Sequence, residues 1–133
     1  MEIVQLFVDH DGETHFRDLT VEVPETAFGS ADTLSRVLEI PTSSVTLRSV
    51  LRESDEPPAW HHAPRRKMVL HLTGWNEIET SDGEVRRFGP GDVLHADDTR
   101  GKGHLFRPLE GPRMMVLLEI PDSWEIPIKP AVS

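Results

Sequence analysis

The chain has no cysteine among its 133 residues, which excludes disulfides, thiolate metal sites and a cysteine nucleophile. It has no surplus of positive charge either. The formal net charge is −9, and that argues against a nucleic-acid partner, because phosphates require a basic face. No apolar run approaches the roughly 18 residues of a membrane span. The opening residues, MEIVQLFVDHDGETHF, carry no basic stretch of the kind that begins a secretory signal. A cytoplasmic chain without a membrane partner is the expectation. There is no phosphate-binding loop, dinucleotide fingerprint or Gly-x-Ser-x-Gly elbow, and Gly101-Lys102-Gly103 is too short to cradle a phosphate alone. No internal repeat is visible.

What is present is a succession of short strand signals. The length fits one domain over 1–133, able to bury roughly 70% of its unfolded surface. Residues 3–8 (IVQLFV) and 16–23 (FRDLTVEV) read as strands around a turn at Asp11-Gly12. Residues 32–40 read as a helical turn capped by Asp32 or as a strand, ended by Pro41. Strands are also expected at 46–51, 66–73, 75–80, 84–88 and 114–120, the hairpin 75–88 turning at Ser81-Asp82-Gly83. The proline-rich tail, 121–133, is expected to pack Trp124 and Ile126 on the body or on a second subunit. Many short strands with little helix mean an all-β sandwich or barrel.

The most informative stretch is GEVRRFGPGDVLHADDTRGKGHLF, residues 83–106. A strand runs to Phe88, Gly89-Pro90-Gly91-Asp92 turns the chain, and Val93–Ala96 forms a second strand. A polar loop from Asp97 to Gly103 then leads to a third strand opening at His104. Pro90 fixes φ near about −65° and the glycines admit positive φ. Such a loop at the mouth of a sheet is where function commonly sits.

Two segments resemble the motifs of the cupin family. Trp60-His61-His62-Ala63-Pro64-Arg65-Arg66-Lys67, ending at Gly74, is similar to the first. The stretch from Gly83 through Gly89-Pro90-Gly91-Asp92, ending at His104, is similar to the second. The resemblance covers residues 45–120, after N-terminal strands in 1–52, and is closest to small single-domain bacterial cupins. It implies a double-stranded β-helix, a jelly-roll barrel with an internal pocket, and a homodimer. It does not imply one activity, because this fold hosts many. The sequence also departs from the metal-binding pattern. Trp60 stands where the first histidine ligand falls and Lys67 where the acidic one does, while His62 and His104 match the others.

Two registers compete at residues 66–72. Met68, Leu70 and Leu72 form one apolar face, whereas the resemblance puts Lys67, Val69 and His71 in phase.

These residues support three readings. In the first, an enzyme moves protons on a carbonyl or carboxylate compound by isomerisation, cyclisation, elimination or dehydration. His62 and His104 are its acid–base pair, with Lys67 as catalytic electrostatic partner or base. Arg66 clamps an anionic small molecule through its planar guanidinium, Trp60 stacks on it, and His95 and Asp97 complete the binding set. Asp97 or Asp98 orients His104, or both simply shape the turn. In the second reading His62 and His104, with His61, His71 or His95, hold one divalent metal (iron, zinc, manganese or nickel), as in a dioxygenase. In the third the chain binds a small ligand without chemistry.

Overall fold

A computed structural model describes residues 1–27 and 33–129. The strands are β1 (Glu2–Val8), β2 (Thr14–Thr20), β3 (Glu25–Ala27), β4 (Leu34–Arg36), β5 (Ser44–Ser49), β6 (Lys67–Thr73), β7 (Asn76–Thr80), β8 (Val85–Phe88), β9 (Val93–Ala96), β10 (His104–Pro108) and β11 (Met114–Glu119). Among the described residues there is no helix, and so none long and apolar enough to cross a membrane. Asp32, the expected cap, lies outside the described residues. Within the segment 32–40, Leu34–Arg36 is strand rather than helix.

Six strands form one sheet in the order β2-β1-β9-β6-β11-β5; three form a second, β10-β7-β8; β3 and β4 make a separate ribbon. Among the described residues only β1 and β9 run parallel. The architecture is all-β, as expected, and among the described residues it consists of open sheets that face one another, none closed on itself. The turn at Gly89–Asp92 carries the chain from β8 in the small sheet to β9 in the large one. Gly91 takes φ +90° there, and the Asp92 carboxylate accepts the Gly89 N–H at 2.8 Å.

Because side chains alternate along a strand, the large sheet has two distinct faces. Its inner face presents Leu6, Phe16, Val69, Leu94 and Met115 to Ile78 and Phe88 of the small sheet. Its outer face carries Ile3, Leu19 and Met68, which pack with Val21, Ile126 and the half-buried Trp124. Both registers proposed for β6 therefore exist, on opposite faces. Lys67, Val69 and His71 look inward, and Met68 looks outward to the tail. The tail packs on its own chain, held by bridging of Ile128 to Val21 and by a 2.8 Å bond from the Lys129 N–H to the Thr20 carbonyl. The apolar run 114–120 buries fully only Met115 and Ile120.

Candidate functional site

Between the sheets lies a cavity of about 350 Å³. Its apolar wall comes from inward positions of β6, β7, β9, β10 and β11: Val69, Ile78, Leu94, Phe106 and Leu117. Its polar groups are Arg48, His61, Lys67, His71, Asn76, His104 and Arg113, and among the described residues no aspartate or glutamate lines it.

His104 opens β10 and pairs across to Thr80. Its Nδ1 lies 2.7 Å from Oδ2 of Asp98, which is fully buried. A carboxylate only accepts, so Nδ1 carries a proton, and in the neutral form of the ring it is Nε2 that holds the lone pair. The other Asp98 oxygen, Oδ1, is buried without a hydrogen-bond partner. Asp98 is held in place by its own backbone, whose carbonyl accepts the Ala63 N–H at 2.9 Å.

His61 reaches the same spot through a two-way bridge. Its N–H donates to the His104 carbonyl at 3.1 Å and its carbonyl accepts the His104 N–H at 2.9 Å. The two rings stand 4.6 Å apart. Gly103 makes this approach possible: its φ is +75°, and a Cβ there would fall 2.3 Å from the His61 carbonyl. The Gly103 carbonyl is fixed in turn by the Thr14 hydroxyl at 2.7 Å. The glycine before His104, visible in the sequence, thus positions two histidines.

Lys67 stands opposite Ala96 in the β6–β9 register. Since Ala96 is two residues before Asp98, Lys67 and the His104–Asp98 pair share one end of the cavity. Glu77 does not partner Lys67: Arg107 takes Glu77 at 3.5 Å and Glu79 at 2.9 Å. Among the described residues the Lys67 ammonium makes no ion pair, and neither does Arg48 of the exposed strand β5. Arg113 is neutralised by a two-pronged contact to Glu53, at 2.6 and 3.1 Å.

The opposite end is built by His71, Asn76 and Phe88. Asn76 and Phe88 are register partners, and the His71 ring stacks on Phe88 at 5.5 Å. His71 donates Nδ1–H to the Asp92 carbonyl at 2.9 Å. Burial holds its pKa below the ordinary 6.5, which keeps the ring neutral with a lone pair on Nε2.

The remaining expected site residues are elsewhere. His62 is exposed, with Nδ1 turned to the Ala63 carbonyl at 3.0 Å, and does not line the cavity. Trp60 is exposed as well and is not in the wall. Consecutive strand residues point to opposite sides, so bringing His61 in puts His62 out. Arg66, His95 and Asp97 lie on the outer face around a second hollow with Gln5, Arg17, Asp122 and Glu125. There Asp97 accepts from Arg66 at 3.0 Å and from Gln5 at 3.1 Å, and Arg66 also donates to the Pro121 and Trp124 carbonyls at 2.9 and 2.8 Å. Arg66 latches the tail; it is not positioned to clamp a ligand in the cavity. It is Asp98, rather than Asp97, that orients His104.

His61, His62 and His104 do not converge as a metal-ligand set. Among the described residues no three histidine, aspartate or glutamate side chains do, and the cationic Lys67 stands in the cavity wall. The residues thus do not fit the divalent metal considered above. Compared with models of known families and with curated proteins, the chain matches none.

Proposed function

We propose that this chain is a small cupin-type jelly-roll enzyme that moves a proton on an anionic carbonyl or carboxylate compound. The observation that carries the reading is the 2.7 Å pair of His104 with the fully buried Asp98, at a cavity wall that, among the described residues, has no acid and a lysine without an ion pair. His104 Nε2 acts as the base, and Asp98 fixes its tautomer and offsets the charge the ring gains on taking the proton. The Lys67 ammonium holds the carboxylate or the developing enolate, in apolar surroundings where charge interactions are strong. His61, in ring contact with His104, is the second proton carrier. The two facing sheets with an internal cavity support the jelly-roll reading, alongside the cupin-like segments at 60–74 and 83–104.

The test is proton exchange. Wild-type protein is incubated in D₂O with a panel of 2-oxo and 3-oxo carboxylates, and loss of the α-proton signal is followed by NMR. Exchange above the buffer rate, abolished in His104→Gln, is the expected result. Saturable binding of these acids with no exchange would make the chain a binding module and overturn the enzyme reading.

A further inference from the structure

The two ends of the cavity differ in a way that defines the ligand. At one end stand Lys67 and the His104–Asp98 pair. At the other stand His71 and Asn76, both uncharged, with Arg113 nearby, whose charge is offset by Glu53. On β6, Lys67 and His71 are four residues apart, about 13 Å of strand. Between them the wall is apolar, with Val69, Ile78, Leu94 and Leu117.

Asn76 is 3% exposed and His71 is 6% exposed. The Asn76 amide has no side-chain hydrogen bond among the described residues, although its inward position on β7 puts it in the cavity wall. Among the described residues the one side-chain atom sealed off without a partner is Asp98 Oδ1, so the Asn76 amide stays reachable from the cavity, where a ligand can meet it as donor or acceptor. His71 spends its only proton on Asp92 and offers a lone pair. Together they present one acceptor, His71 Nε2, and one amide able to donate.

We infer that the cavity takes an elongated ligand with a carboxylate at one end, an apolar middle such as an aromatic ring, and a hydroxyl at the far end. The hydroxyl donates to His71 Nε2 and accepts from the Asn76 amide, while Lys67 binds the carboxylate. This deepens the proposed function by naming its substrate class, and it rests on that reading for the chemistry alone; the binding preference stands or falls without turnover.

The probes are three unreactive acids: 3-phenylpropionate, 3-(4-fluorophenyl)propionate and 3-(4-hydroxyphenyl)propionate. Isothermal titration at pH 7.5 with the full chain is expected to show the hydroxylated acid binding about 10-fold more tightly than the other two. The fluoro acid controls for size, since it cannot donate. Asn76→Leu should reduce the preference to within about two-fold, and Lys67→Met should weaken all three alike. Equal affinities for the three acids in the wild type, or no saturable binding of any, would overturn the inference. If Asn76→Leu does not fold, the wild-type comparison of hydroxyl with fluorine still decides it. A hydroxyl preference without proton exchange on the oxo acids would retain this inference and remove the enzyme reading. Exchange without the preference would do the reverse.

Discussion

Two polar clusters sit back to back across the same strands of the large sheet, and they differ in how completely they are satisfied. On the outer face, Arg17 donates to Gln5 at 2.5 Å, Gln5 to Asp97, and Arg66 to Asp97 and two tail carbonyls. Positive and negative groups meet there, and the tail is the beneficiary. On the inner face, Lys67 and Arg48 have no counter-ion among the described residues, Asn76 has no side-chain partner, and one buried oxygen of Asp98 is left bare. Buried polar groups are normally paired because leaving them unpaired is costly. The outer cluster completes its own bonds, whereas the inner one leaves groups free to meet the ligand proposed above.

The largest expected effect separates the clusters by activity. His104→Gln keeps a donor for Asp98 but loses the Nε2 lone pair, so proton exchange should fall by about 10²–10⁴-fold with little change in unfolding midpoint. Alanine is the poorer choice, because it strands the buried carboxylate of Asp98. If His104→Gln retains exchange, the inner cluster is not the site.

Arg66→Ala should do the opposite. It leaves Asp97 and two tail carbonyls short of donors, so stability measured in urea should fall by about 3 kcal/mol. Exchange per folded molecule should be unchanged. A fall in exchange with stability intact would move Arg66 back into the binding site.

Ile126→Ala tests the tail with a purely apolar deletion. Ile126 packs with Ile3, Leu19 and Met68 on the outer face, and its truncation should cost about 2–3 kcal/mol. A cost below about 0.5 kcal/mol would mean that the tail is not seated on this core.

The contrast between the faces also explains what could be read from the sequence. Strand positions were legible wherever alternation met a strong turn: 75–88, 93–96 and 104 onward all appear close to their expected places. The choice between the two faces was not. Met68-Leu70-Leu72 and Lys67-Val69-His71 are both plausible inner faces when only one core is imagined; the chain has a second apolar cluster outside, made by residues more than 50 positions apart such as Met68 and Ile126. The same ambiguity misplaced Arg66, His95 and Asp97, which share the parity of Met68 or flank it. His61 and His62 exchanged roles because irregular backbone precedes β6, so strand parity could not be carried back from Lys67. Asn76 was missed although its phase with Ile78 and Thr80 signals an inward position, because a lone asparagine has no motif. Asp98 was recognised only as one of two possible orienters of His104.

Acidification sharpens the comparison with the smallest expected effect. Burial lowers the pKa of His71 on the inner face and of His95 on the outer face below the ordinary 6.5; for His95 the neighbouring Asp97 opposes burial while Arg66 and Arg17 reinforce it. In the unfolded chain both groups take up protons near pH 6.5, whereas the folded chain resists. The unfolded state then binds more protons, so stability should fall as pH drops below about 6.5 and level off once pH is under the folded values. His15 acts in the other direction. Its hydrogen bond to Asp9 raises its pKa, so its contribution is complete in acid and is lost as pH rises through that raised value. It lies at the surface, where such pairs contribute little, and the buried histidines should set the sign. Urea titrations at pH 7.5 and 5.5 on wild type, His71→Gln and His95→Gln would resolve the two faces. Each variant should lose part of the acid-induced drop, and adding 3-(4-hydroxyphenyl)propionate should alter the pH response of the His71 part alone. A wild-type stability that is flat or rising between pH 7.5 and 5.5 would show that neither ring is buried neutral, and the lone pair assigned to His71 Nε2 would go with it.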